Sequence, residues 1–287
     1  MNKKSIFSLI LVIVLTISIA FTGCSKDEDA GQTTTTAAES YADGVYFAMD
    51  DQYAESGWRS VVTLEVKDGE IVMVDWNAAH KSGGIDKKTS SQEGIYGMVE
   101  KGGAVAEWHE QAELVEEYLL ETQDPKDIEY KDDEGHTDAI AGVTIHVNDF
   151  YALVEKALAK GPVGYGMYKD GTYHAEEAEF SENGWKEMID VTVISGYITA
   201  VNWDPKNTEG ESKKALSEDG TYGMVAKGGA QSEWHEQAAL VEEDIVENQD
   251  LGGYEASDDE GSIDSVAGVS IHVMQIIELL KDVIEMR

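Results

Sequence analysis

The sequence predicts an α+β protein built as two tandem domains, each a mostly antiparallel sheet with packed helices. Three observations carry this. Long stretches of residues 41–160 recur in residues 165–287. Within each copy, apolar residues alternate at strand period across a tight turn. Further along each copy they recur at helical spacing.

The duplication is read from aligned blocks. Gly57-Trp58 returns as Gly184-Trp185, and Tyr96-Gly97-Met98-Val99 as Tyr222-Gly223-Met224-Val225. Glu107-Trp108-His109-Glu110-Gln111-Ala112 returns as Glu233-Trp234-His235-Glu236-Gln237-Ala238. So large a unit separates the pattern from short-period solenoids. Gly161-Pro162-Val163-Gly164 forms the natural joint. In copy one, Val62, Leu64 and Val66 alternate with Thr63 and Glu65, Asp68-Gly69 turns the chain, and Ile71 to Trp76 returns it. Copy two has Ile189, Val191 and Val193, then Ser195-Gly196, then Ile198 to Trp203. Trp108, Ala112, Val115 and Leu119 lie on one face of a helix, as do Trp234, Ala238, Val241 and Ile245. A closing helix carries Phe150, Val154 and Leu158, or Ile276, Leu280 and Val283. Helices packed on hairpins define the class.

The first 24 residues read as an address. Lys3 and Lys4 precede an apolar run, Ile6 to Phe21, of signal-peptide length, which ends at Phe21-Thr22-Gly23-Cys24. This resembles a bacterial lipobox with Cys24 as the lipidated residue, and implies a lipid anchor on the extracytoplasmic face of the cell membrane. Residues 25–40 contain no aliphatic side chain larger than Ala and read as a tether.

Composition narrows the chemistry. Against 57 Asp and Glu stand 21 Lys and Arg, a formal charge of -36. Such a surface disfavours nucleic acid, so no nucleic-acid partner is expected. Cys24 is the only cysteine, which removes disulfides, thiolate metal sites and cysteine nucleophiles from the body of the chain. The histidines His109, His235, His146 and His272 lack the spacing of a metal motif, and no metal site is expected.

Before its closing helix each copy carries Asp138-Ala139-Ile140-Ala141-Gly142-Val143-Thr144-Ile145-His146 or Asp264-Ser265-Val266-Ala267-Gly268-Val269-Ser270-Ile271-His272. Gly142 and Gly268 permit a turn that a side chain would block. Thr144 and Ser270 bring a hydroxyl upstream of a helix, whose amides and dipole suit a phosphate. The same pattern also fits a strand-to-helix turn in which the hydroxyl serves only as a cap or turn donor. Trp108 and Trp234 fall on the apolar helix face, as core or as contacts for a ring. His109 and His235 lie one step off that face, and His146 and His272 follow the hydroxyl by two.

The motif resembles the flavinylation sequence of FMN-binding domains, Asp-x-x-Ser-Gly-Ala-Thr. The layout of each copy is similar too: Asp43-Gly44-Val45-Tyr46 or Asp170-Gly171-Thr172-Tyr173 at the start, a Gly-Trp-led hairpin, and a helix after the hydroxyl. The resemblance covers about residues 41–287. It implies FMN joined as a phosphoester to Thr144, and with less support to Ser270, by a flavin transferase. Asp138, Gly142, Asp264 and Gly268 would complete the two motifs, with His146, His272, Trp108, Trp234, His109 and His235 as cofactor contacts. It further implies a lipid-anchored electron carrier served by a membrane redox donor, rather than an enzyme that converts a substrate. Ala141 and Ala267 stand where the family has Ser, and Val143 and Val269 replace a smaller Ala. These departures leave open a surface lipoprotein module of the same fold without covalent flavin.

Overall fold

The computed structural model describes residues 41–287. The signal segment, Cys24 and the tether therefore lie outside the described residues. The described residues, 41–287, belong to one compact unit, so both copies share it.

In copy one, β1 (Gly44–Met49), β2 (Trp58–Lys67) and β3 (Glu70–His80) form an antiparallel sheet in the order β1-β2-β3. In copy two, β4 (Gly171–Glu176), β6 (Met188–Ile194) and β7 (Tyr197–Trp203) form a second antiparallel sheet in the order β4-β6-β7. The short β5 (Trp185–Lys186) and β8 (Lys206–Asn207) make a separate two-stranded ladder. The turns fall at the expected dipeptides. Asp68 and Gly69 have φ of 55° and 82°, Ser195 and Gly196 54° and 81°. Two successive positive φ values give the hairpin turn whose twist matches that of the strands.

The predicted amphipathic helices are α3 (Trp108–Thr122) and α7 (Trp234–Asn248). Both begin with a capping box, Glu107 with Glu110 and Glu233 with Glu236. The closing helices are α4 (Asn148–Lys160) and α8 (Met274–Val283). Between hairpin and amphipathic helix lie short helices that the sequence pattern does not predict: α1 (Lys87–Gln92) and α2 (Met98–Gly102) in copy one, α5 (Lys213–Glu218) and α6 (Met224–Gly228) in copy two. The starts of α1 and α5 are nonetheless signalled: Asp86 and Ser212 accept from the backbone N–H of Thr89 and Ala215.

The two sheets meet through their inner faces. Phe47, Val61 and Ala79 pack against Ile194 and Ala200, and the Phe47 and Tyr197 rings stack at 4.2 Å. Thr63 Oγ1 lies 2.6 Å from Ser195 Oγ. Arg59, 2 % exposed, reaches Glu243 Oε2 at 2.5 Å. On each outer face helices cover a core of their own, centred on Trp76 and Trp108 in copy one and on Trp203 and Trp234 in copy two. The layers run helix, sheet, sheet, helix.

Strands β3 and β7 lie at sheet edges, where unpaired backbone groups invite foreign strands. Side chains of α3 and α7 and of their C-caps, Gln123 and Gln249, satisfy some of them. Gln123 accepts from Ile71 N and donates to Ile71 O, as Gln249 does with Ile198. Glu116 and Glu242 accept from Trp76 N and Trp203 N, each at 2.6 Å. These bonds lock each helix to its sheet in one register.

Candidate functional site

The hydroxyls of Thr144 and Ser270 are both exposed, and both are held the same way. Gln111 Oε1 accepts from Thr144 N at 2.7 Å and from Thr144 Oγ1 at 3.2 Å. Gln237 Oε1 accepts from Ser270 N at 2.7 Å and from Ser270 Oγ at 3.2 Å. Gln111 and Gln237 are 0 % and 1 % exposed. Their amide groups donate in turn to Ala106 O and Ser232 O, which fixes the carboxamide orientation. A buried amide with both ends engaged is a rigid post. The hydroxyl donates to that post.

The turn before each hydroxyl depends on glycine. Gly142 and Gly268 have φ of 91° and 85°, a region costly for any residue with a Cβ. Val143 N donates to Ile140 O, and Val269 N to Val266 O. Ile140 and Val143 are buried beneath the first loop. The larger Val143 is thus an anchor under the turn rather than an obstruction above it.

One expectation needs correction. Helix α4 starts at Asn148 with Val147 as its N-cap, and α8 starts at Met274 after Val273. Thr144 and Ser270 therefore precede the caps by three residues and do not cap those helices. The hydroxyl is positioned by a glutamine from a different helix, not by a helix terminus.

The other residues singled out from sequence divide into three groups. Trp108 and Trp234, each 3 % exposed, pack edge-on against Trp76 and Trp203 and belong to the two cores. His109 and His235 are half-buried. Each places Nδ1 2.9 Å from a buried serine hydroxyl, Ser91 or Ser217, and that hydroxyl also accepts the histidine's backbone N–H at 3.0 Å. Asp138, Asp264, His146 and His272 are exposed. Asp138 pairs with Lys131 at 3.0 Å, and His272 faces Glu260 at 3.2 Å.

One turn along α3 from Gln111 lies a feature the sequence reading did not single out. Lys87 Nζ sits 4.7, 5.2 and 5.8 Å from the ring centroids of Trp108, Tyr96 and Trp58. Lys213 Nζ occupies the matching place, 4.9, 5.0 and 5.7 Å from Trp185, Trp234 and Tyr222. Rings attract a cation through their faces, but removal from water opposes its charge. Burial pushes the Lys87 ammonium down to about 8 and lowers that of Lys213. Beneath them, Lys88 binds Asp75 and Glu116 at 2.6 and 2.8 Å, and Lys214 binds Glu242 at 2.6 Å. Burial raises the Glu116 carboxyl to about 7 despite Lys88, and raises that of Glu242. The repetition of all these contacts was legible only as Lys-Lys recurring at 87–88 and 213–214.

No known family description matches the chain. Over 69 residues it is 35% identical to the 15 kDa lipoprotein of Treponema pallidum (strain Nichols), a match covering 24% of this chain and 47% of that protein. The chain is similar to a lipoprotein. It spans about half the length of that curated relative. Two solved structures are also similar. A protein from Clostridium thermocellum, solved by NMR, is 62% identical and covers 41% of this chain and 90% of its own, with a TM-score of 0.34. The CPE2226 protein from Clostridium perfringens, a crystal structure, is 22% identical and covers 42% and 88%, with a TM-score of 0.34. Among the described residues, no helix is long and apolar enough to cross a membrane.

Proposed function

We propose that this chain is a lipid-anchored extracytoplasmic flavoprotein that relays electrons, with FMN joined through its phosphate to Thr144 and, second in rank, to Ser270. The observation that carries the reading is the paired arrangement of Gln111 with Thr144 and Gln237 with Ser270. Two exposed hydroxyls at matching places in a duplicated chain, each oriented by a buried carboxamide with the same distances, support a shared task.

The residues present fit a phosphoester on several counts. The hydroxyls are exposed, and Gly142 and Gly268 keep the turn free of side chains that would crowd an attached group. Apolar side chains lie beside both turns: Leu114 beside Gly142 and the exposed Leu240 beside Gly268. These side chains offer apolar contact to a flat ring. Trp108 and Trp234 hold the core beneath it, and His109 and His235 stay tied to Ser91 and Ser217.

Bound FMN would supply the redox chemistry. The protein's part is attachment, orientation and field. Gln111 and Gln237 fix the hydroxyl rotor by accepting its proton in a hydrogen bond, so the oxygen meets an incoming phosphorus along one direction. The anionic surface disfavours added negative charge nearby, an effect weakened by salt. A covalent link suits a protein held outside the cytoplasm by Cys24, where a dissociated cofactor would be lost. The similarity to a named lipoprotein supports the anchor.

The test is co-expression of the chain with a flavin transferase, followed by denaturing electrophoresis. In-gel flavin fluorescence is expected from the wild type. Its absence would leave the reading without its central feature.

A further inference from the structure

We propose that copy one carries a divalent transition-metal site, of the kind that takes Zn2+, formed by Glu134, His136 and His146. Each offers a ligand atom, and the three atoms lie within 4.8 Å of one another. His146 Nε2 is 3.9 Å from Glu134 Oε2, and the two imidazole rings stand edge to face with centroids 4.2 Å apart. Ligands bonded to zinc at about 2.0–2.2 Å in a tetrahedron lie roughly 3.3–3.5 Å from each other. Closing the cluster therefore asks each pair of ligand atoms to approach by no more than roughly 1.5 Å, from two exposed side chains, Glu134 and His146, and the half-buried His136. Two imidazoles and one carboxylate suit a borderline cation better than Mg2+ or Ca2+, which prefer oxygen ligands.

The loop is built to hold this arrangement. Asp132 Oδ1 accepts the backbone N–H groups of Glu134 and His136, each at 3.1 Å, and its Oδ2 lies 2.7 Å from His136 Nδ1. A carboxylate on Nδ1 orients the imidazole, the usual support of a metal-bound histidine, and Nε2 is the nitrogen assigned here as ligand; Nδ1 itself lies 3.9 Å from Glu134 Oε2. Gly135 O accepts Val147 N at 2.9 Å, which ties the His146 segment to the Glu134 loop. Gly135 has φ of 90°, and a Cβ there would fall 2.2 Å from the Asn148 carboxamide. Both segments are thus held together by backbone before any cation arrives.

Copy two provides an internal contrast. Its loop repeats the scaffold: Asp258 Oδ1 accepts Glu260 N and Ser262 N, and Val273 N donates to Gly261 O. It also repeats the carboxylate and one imidazole, with His272 Nε2 3.2 Å from Glu260 Oε2. Ser262 stands where copy one has His136, so a ligand is missing. This separates a designed cluster from a general property of acidic loops, which both copies share. The inference is independent of whether Thr144 bears a flavin.

The test is calorimetric titration of the full chain with Zn2+ in buffer containing excess Mg2+. The wild type should bind one equivalent. His136→Gln and His146→Gln, both at the surface and outside the cores, should each weaken binding at least about tenfold. Ser262→His should raise the stoichiometry to two. Unchanged zinc affinity in both glutamine variants, displacement of the zinc by Mg2+, or a stoichiometry that stays at one after the Ser262→His change would overturn the proposal.

Discussion

Gln111 Oε1 accepts both the backbone N–H and the hydroxyl of Thr144, a residue 33 positions later in the chain. One buried atom thus couples the start of helix α3 to the loop that precedes α4. Gln111→Ala removes the acceptor and leaves the Thr144 amide and the Ala106 carbonyl without their partner. A loss of roughly 2–4 kcal/mol is expected from the unmet bonds and the cavity. Chemical denaturation reads the stability. Flavin attachment at Thr144 should fall with it, while Ser270, served by Gln237, keeps its own level.

Arg59 and Glu243 join the two copies. Arg59 is buried between the sheets, and its Nε and Nη1 have no hydrogen-bond partner among the described residues. Its Nη2 meets Glu243 at 2.5 Å, and its guanidinium lies 4.0 Å from the Tyr53 ring centroid. Glu243→Ala would leave a buried cation compensated mainly by the ring, at a cost of roughly 2–4 kcal/mol. Arg59→Met with Glu243→Ala should recover much of that loss, because the unpaired charge is gone. A double-mutant cycle measured by thermal unfolding checks this.

Asp50 supplies a pH dependence. Burial, with the nearby Asp149 adding repulsion, lifts its carboxyl from an ordinary 3.8 to about 6. The folded state therefore favours the protonated acid. That contribution to stability is fully present below about pH 3.8 and is lost as pH rises through about 6. Asp50→Asn mimics the protonated acid. It should raise Tm relative to wild type at pH 7.5, with the gain shrinking as pH falls through 6 towards 4. A gain independent of pH would point to a different cause.

Much of this fold was legible in the sequence because its signals are local. Period-two alternation marked the hairpins, Asp68-Gly69 and Ser195-Gly196 marked their turns, and one-sided spacing marked α3 and α7. Helices α1 and α5 are too short for a period to register, and only Asp86 and Ser212 announced them. The loops bearing Thr144 and Ser270 were found by repetition and motif. What holds those hydroxyls was not, because Gln111 and Gln237 are polar residues buried on an otherwise apolar helix face. A spacing of 33 residues has meaning only once the chain is folded. His136 was passed over for a similar reason: it stands ten residues from His146, and the Gly135–Val147 backbone bond that unites them is a tertiary contact. The face-to-face packing of the sheets rests on Phe47, Val61, Ile194 and Ala200. Their apolar character reads equally well as part of a single-copy core.

The central claim is that Thr144 and Ser270 are attachment points for FMN. Intact-mass measurement of the chain after co-expression with a flavin transferase tests it most directly, on the wild type, Thr144→Ala, Ser270→Ala and the double variant. The account predicts a covalent flavin mass on the wild type, the loss of one such mass in each single variant that had been loaded, with Thr144 the better occupied, and none in the double variant. A flavin mass that persists in the double variant, or a wild type that never acquires one, would contradict it.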